Sequence, residues 1–342
     1  QNLISYTLVI AAFLVIQLLL GQGMLSRSIQ GQLVPICCYI VMALSLNLVV
    51  GISGELSLGH AGFMSVGAFS GVAAAVSLQG SVGSPAVRLV IAIAAGAVLA
   101  AAAGFIVGVP ALRLQGDYLA IVRLAFGQII VNILQCVYLG VDGEGLHFNF
   151  LDAELHMVDG ISIISGPKGT VSVTRIASFT AGFLLILVTL AVVQNLVNSR
   201  AGRAIMAARD NRIAAGSVGV NVTKYKLMAF VTAAALAGAA GALYGLNYSS
   251  VAPSKFDYNT SILVLVFVVL GGLGNMWGSI IAAAFLTALP ETPAMRGLAD
   301  YRMLVYAVVL ILVMLGTNNP AVQDFLNTKF RRRKKRKEGA GK

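Results

Sequence analysis

The chain has 342 residues, 58% of them hydrophobic and 11% charged, and a formal net charge of +11. Soluble globular domains carry about 25% charged residues. This composition, with a mean hydropathy of +0.87, therefore excludes a soluble enzyme, a nucleic-acid binder and a disordered chain. It points to an all-α polytopic membrane protein whose spans are each about 20 residues long. Residues 329–342 alone hold nine Lys or Arg against one Glu. The basic excess is that of a cytoplasmic anchor near anionic lipid. The organisation expected is one membrane domain over 1–320 and a basic cytoplasmic tail over 321–342.

Apolar runs mark ten membrane segments at about 4–20, 32–50, 60–78, 89–109, 117–139, 176–197, 227–248, 260–274, 277–290 and 302–316. Some of these segments are expected to be broken or re-entrant. Residues 4–20 lack a basic n-region and an A-x-A-like site, so they read as a retained span. The eighth and ninth segments are short and separated only by Asn275 and Met276. They are either two spans or one broken helix with a re-entrant half, which is tolerated where backbone is shielded from lipid. With the N-terminus inside, the inside loops and tail hold 16 Lys or Arg and the outside loops 7. That bias places both termini in the cytoplasm. The acids Asp142, Glu144, Asp152, Glu154 and Asp159 all fall in the outside loop 140–175, the largest outside segment and the one best suited to meet an external partner.

Small residues recur at helical spacing in the fourth segment (Gly96, Ala100, Gly104, Gly108) and the seventh (Ala237, Gly241, Gly245). Such rows let helix backbones approach closely and belong to architecture. Cys37, Cys38 and Cys136 lie in apolar stretches and read as packing residues. Glycine-broken stretches occur twice: Gly51, Gly54 and Gly59 before the third segment, and Gly271, Gly272 and Gly274 before the ninth. Paired breaks in corresponding halves point to a transporter's substrate path. Catalytic signatures are absent, and His60, His147 and His156 do not cluster. No metal or cofactor pattern is present, and no G-x-x-x-x-G-K-[ST] loop exists to cradle ATP phosphates. Any ATP dependence must come from a partner, and the chain itself is not expected to be an enzyme.

The inside loop 198–226 is long for a connection between spans. Its Ala-rich part, 202–217, is expected to form one helix on the cytoplasmic face, flanked by basic residues. Ala214-Ala215-x-x-x-Gly219 resembles the E-A-A-x-x-x-G loop by which ABC importer permeases engage their ATPases, with Ile213 in place of the Glu. That departure is usual in the permeases of branched-chain amino acid importers. Further blocks resemble the same branch: Ser45-Leu-Asn-Leu-Val-Val-Gly51, Gly54-Glu-Leu-Ser-Leu-Gly-His-Ala-Gly-Phe63, Leu112-Arg-Leu-Gln-Gly-Asp-Tyr-Leu-Ala-Ile-Val122 and Leu270-Gly-Gly-Leu-Gly-Asn-Met-Trp-Gly278. The first and third of these resemble the M-type subunit more than the H-type. The resemblance implies a permease paired with a second, H-type permease, two ATPases and an external binding protein. Its cargo would be branched-chain or related small amino acids, with other amino acids and urea also served by similar permeases. Arg203, Ala214, Ala215 and Gly219 would then meet the ATPase, with Arg209 and Arg212 steering association toward acidic patches.

In the fifth segment Asp117, Gln128, Asn132 and Gln135 fall on one helical stripe, while Arg123 lies off it, free to snorkel or to pair with another helix. A polar stripe in a membrane helix faces a cavity or another helix. The translocation path is accordingly expected to involve Gly51, Gly54, Ser57, Gly59, His60, Gln128, Asn132, Gly271, Gly272 and Gly274. His60 and Glu55 beside the first break leave a second reading open, a proton-coupled secondary transporter or channel for small polar solutes.

Overall fold

The computed structural model describes residues 9, 13–18, 27–80, 82–114, 116–142, 145–151, 160–171, 173–289, 304, 308 and 311. Two compact units are present, 1–291 and 292–342. In the second, the described residues Leu304, Val308 and Ile311 are helical and exposed. The last expected span and the basic tail otherwise lie outside the described residues, as does most of the first expected span.

The first unit is built from helices whose ends follow the apolar runs. They are α1 (Arg27–Asn47), α2 (His60–Ser77), α3 (Pro85–Ala111), α4 (Asp117–Gln135), α5 (Phe179–Asn198), α6 (Arg200–Asp210), α7 (Arg212–Ser217), α8 (Val222–Gly245), α9 (Tyr258–Gly271) and α10 (Met276–Ala288). Among the described residues, seven helices are long and apolar enough to cross a membrane, and α10 is a shorter apolar helix. This is an all-α polytopic membrane fold. Pro85 opens α3 at a position whose N–H has no helical partner, and Ser178 caps α5 by accepting from the Ala181 N–H.

The core is the packing of α2, α3 and α8, and it depends on the small residues noted in the sequence. A methyl on Gly67 would overlap the Gly238 backbone, and one on Gly241 would overlap the Met64 carbonyl. Gly96 and Gly71 both face Ala242, and Gly104 faces Ala234. Lipid tails are as apolar as leucine, so helices gain little by exchanging one for the other. Close backbone approach with dense van der Waals contact supplies the association instead.

Two features depart from the expected segments. The fifth run does not continue as helix to 139. α4 ends at Gln135, and Val137–Asp142 becomes strand β1, between β2 (Gly145–Phe150) and β3 (Ile161–Ser165). β1 pairs antiparallel with both, Val137 facing Phe150 and Tyr138 facing Ser165. β-branched and aromatic residues in a stretch too short to span favour this small sheet over a longer helix. It lies at the same end of the unit as Thr170 and Val251, which bridge the loop to the segment before α9. The eighth and ninth runs are two helices folded back on each other. Gly272 (φ 92°) and Gly274 (φ 81°) make the turn, conformations that L side chains rarely adopt. At about 1.5 Å per residue, α10 reaches about 20 Å, short of the hydrocarbon thickness of about 30 Å.

Candidate functional site: the meeting of two helix breaks

The first break begins where α1 widens into a π-helical turn, Leu48–Ile52. The Ser53 N–H donates to the Leu48 carbonyl (3.1 Å) and the Glu55 N–H to the Val49 carbonyl (3.1 Å), longer steps than an α-helix makes. The chain then runs without regular structure to His60, where α2 starts, with Gly54 at φ 73°. Gly59 lies against the Arg123 carbonyl and Gly127, and Gly62 against Gly127, so α4 rests on the far side of this break with no room for a side chain. π-turns inside helices occur often at functional sites.

The second break, between α9 and α10, is brought directly against the first. Gly51 packs on the Gly274 backbone, and Gly271 packs on Gly278. Asn47, fully buried at the end of α1, ties both breaks together. Its Oδ1 accepts from the Gly274 N–H (2.8 Å) and its Nδ2 donates to the Ser279 hydroxyl (3.1 Å). Ser261 on α9 accepts from the Ala61 N–H (3.0 Å), serving one of the free donors at the start of α2. Asn47, Ser279 and Ser261 were not among the residues singled out from sequence. A lone amide in an apolar helix was the available signal for Asn47.

Charge is buried beside the first break. Glu55 is 6% exposed and is gripped by Arg123 through one carboxylate oxygen and by Lys226 of α8 through the other (3.1 Å). Arg123 also donates to the Leu56 carbonyl (3.2 Å), and its guanidinium lies 4.4 Å from the Phe230 ring centroid. Of the two options open in the sequence, snorkelling or pairing, the structure selects pairing. His60 is fully buried and meets Ser45 Oγ at 2.8 Å through Nε2. Ser45 spends its own proton on the Met42 carbonyl (2.8 Å), so the His60 Nε2–H is the donor. Nδ1 then has no partner among the described residues, and neither does the buried Ser57 hydroxyl.

The inside loop forms two helices rather than one. Asn211 sits at φ −151°, ψ 106° between α6 and α7, and its Oδ1 accepts from the N–H groups of Ile213 and Ala214 (3.0 Å each). An Asn able to cap a new helix interrupts the Ala-rich run, which propensity alone would continue. Gly219, at φ 86° with open space where a side chain would be, ends the loop. Its N–H donates to the Gly216 carbonyl (3.0 Å), and the Val220 N–H donates to that of Ala215 (3.1 Å). Ala215 is buried within the chain, while Ala214 is exposed. The outward groups are therefore Ile213 (82% exposed) and Val218 (80% exposed). Arg203 caps the Asn198 carbonyl (3.3 Å). Arg209 is itself exposed, yet it reaches back to the first break and donates through Nη1 to the Gly51 carbonyl at 2.7 Å.

Gln128 is half-buried and Asn132 exposed on the surface of this single chain, beside Ile129 and Ile133. Neither has a hydrogen-bond partner among the described residues. The buried face of α4 is instead Arg123, Gly127 and Val131. The Asp117 side chain lies outside the described residues. The structure thus brings Gly51 of the first break against Gly274 of the second, places Gly54, Ser57, Gly59 and His60 along the first break and Gly271 and Gly272 along the second, and leaves Gln128 and Asn132 on an uncovered helix face.

The sequence profile of the family described as the permease component of branched-chain amino acid transport systems matches residues 28–314. The chain is 35% identical over 300 residues to the high-affinity branched-chain amino acid transport system permease protein LivM of Salmonella typhimurium. It is 36% identical over 290 residues to LivM of Escherichia coli K12. Each match covers 81% of this chain and 66% of the relative, so the chain spans about two thirds of the length of these proteins. The ribose import permease RbsC of Escherichia coli K12 is 28% identical over 286 residues, 81% of either chain. No solved structure gives a significant match.

Proposed function

This chain belongs to the family of branched-chain amino acid transport system permease components, and we propose that it is the membrane permease of an ATP-driven importer for branched-chain or related small amino acids. The observation that carries the reading is the α6–α7 pair. It presents Ile213 and Val218 outward, and on its inner side it holds the first helix break through Arg209. A chain with no phosphate-binding loop takes ATP energy mechanically, through a contact at the cytoplasmic end. Two apolar knobs at the mouth of a helix pair suit a cleft in an ATPase subunit, with Arg203, Ala214, Ala215 and Gly219 shaping the contact.

The partners in this reading are a second, H-type permease, two ATPases and an external binding protein that delivers the amino acid. The uncovered Gln128 and Asn132 face the second permease or the path, since lipid leaves an amide unsatisfied. The path runs beside the junction of Gly51–Gly59 and Gly271–Gly278. Both termini are cytoplasmic in a bacterial inner membrane, with residues 1–320 as the permease domain and 321–342 as a basic tail. The three-stranded sheet then lies on the external side, within reach of the binding protein.

The test is reconstitution of the permease pair, ATPases and binding protein in vesicles. ATP-dependent leucine uptake that disappears when the ATPases are omitted supports the reading. Uptake without ATPases, driven by an imposed pH gradient, would replace it with the proton-coupled carrier. The grip of Arg123 and Lys226 on Glu55 speaks for a structural role of that carboxylate.

A further inference from the structure

We propose that Arg209 is the positioning residue through which displacement of the α6–α7 helix pair reaches the junction of the two breaks. The inference rests on the importer reading above and adds the route by which force travels. Arg209 lies in the last turn of α6, separated from the start of α7 at Arg212 only by Asp210 and Asn211, so any push on Ile213 or Val218 moves it directly. Its Nη1 donates to the Gly51 carbonyl at 2.7 Å, across 158 positions of sequence. Its stem lies along Gly54, where a Cβ would come within 2.7 Å of Arg209 Cγ, and Gly54 holds φ 73°. The side chain is therefore held at both its stem and its tip.

The receiving end is built to respond. Gly51 is in the final π-turn, where helix carbonyls lack intrahelical donors, and a guanidinium supplies both a donor and a favourable charge there. Gly51 itself packs on Gly274, whose N–H donates to Asn47 Oδ1, and Asn47 continues to Ser279. From the guanidinium onward each step is a backbone contact or a short hydrogen bond, part-buried at Gly51 and Gly274 and buried between Asn47 and Ser279, so a shift at Arg209 passes through few freely rotating groups. In this proposal the π-turn is the element that changes shape. Held by Arg209, it keeps its wide bonds to the Leu48 and Val49 carbonyls; released, Leu48–Ile52 is free to retighten toward α-helix and draw Gly51 away from Gly274.

The experiment uses the complete complex, with the partner permease, ATPases and binding protein, in vesicles where ATP hydrolysis and leucine uptake are measured together. Arg209→Gln is expected to assemble and to hydrolyse ATP at close to the wild-type rate. Its uptake per ATP hydrolysed is expected to fall about tenfold, the usual size of a coupling between sites. Arg209→Lys, which keeps one charged donor but not the fork, is expected to recover part of that ratio. A Cys introduced at Ser57 is expected to change its thiol-labelling rate with ATP in the wild-type background and not in Arg209→Gln. Wild-type uptake per ATP in Arg209→Gln overturns the proposal, as does an equal loss of hydrolysis and uptake in both variants, which marks a merely structural residue. Absence of ATP-linked uptake in the complex carrying the unaltered chain is a different outcome: it overturns the importer reading itself.

Discussion

Asn47→Leu separates the two breaks without changing the volume of the core much, so its cost is the cost of the polar bridge. The substitution removes the acceptor for the Gly274 N–H (2.8 Å) and the donor to Ser279 (3.1 Å). Neutral intramolecular hydrogen bonds contribute about 1 kcal/mol each. Measured interhelical bonds in membranes average about 0.6 kcal/mol, because the unfolded chain in lipid also finds partners. The pair therefore sets a loss of about 1 to 2 kcal/mol. The upper end of that range is a factor of about 30 in the folding equilibrium. Ser279 keeps its bond to the Asn275 carbonyl (3.1 Å), so the serine side of the bridge is not orphaned. The assay is equilibrium unfolding in mixed micelles of Asn47→Leu, Ser279→Ala and the double variant. A coupling of about 0.5 to 1 kcal/mol is expected between two residues in direct contact. Leucine uptake should fall with Asn47→Leu, since the breaks no longer hold register. Strict additivity, together with a loss below about 0.5 kcal/mol for Asn47→Leu, would refute the claim that this amide joins the breaks.

Gly219→Val forces a β-branched residue into φ 86° in open space. It should cost about 1–2 kcal/mol locally and abolish uptake while ATP hydrolysis persists or the complex fails to assemble; normal uptake by it together with Ala215→Trp would remove the loop from the mechanism. Gly241→Ala drives a methyl into the Met64 carbonyl, whereas Gly80→Ala meets nothing within 4 Å. The first should lose about 1–3 kcal/mol of unfolding free energy as an overpacked site and the second almost nothing. Arg123→Met strips Glu55 of its more deeply buried partner and leaves Lys226, whose side chain is 15% exposed, to hold the charge. It should cost about 3 kcal/mol, with Lys226→Met costing less, both read by unfolding. Asn132→Leu should reduce transport or assembly with the second permease while leaving the isolated chain's unfolding unchanged, and unaltered transport would place that face against lipid.

Much of the architecture is legible along the chain because hydropathy is a local property. The runs at 32–50, 60–78, 89–109, 176–197 and 227–248 become α1, α2, α3, α5 and α8 with shifts of a few residues. The rows Gly96–Ala100–Gly104–Gly108 and Ala237–Gly241–Gly245 announce their own contacts, since a small residue every fourth position has one effect in a membrane helix. The two glycine breaks and the inside loop were equally visible, because glycine and basic residues act where they stand. What the sequence leaves open is pairing. Whether Arg123 snorkels or finds an acid depends on Glu55, 68 positions away, turning inward at the break. That Arg209 meets Gly51 across 158 positions, and Asn47 meets Gly274 across 227, depends on which helix faces come together. The division of 202–217 at Asn211 is different, since its cap reaches only Ile213 and Ala214 and is a local signal that the Ala-rich propensity masks. The strand at Val137 again depends on pairing: propensity there permits a longer helix, and the choice belongs to the partner strands Gly145–Phe150 and Ile161–Ser165.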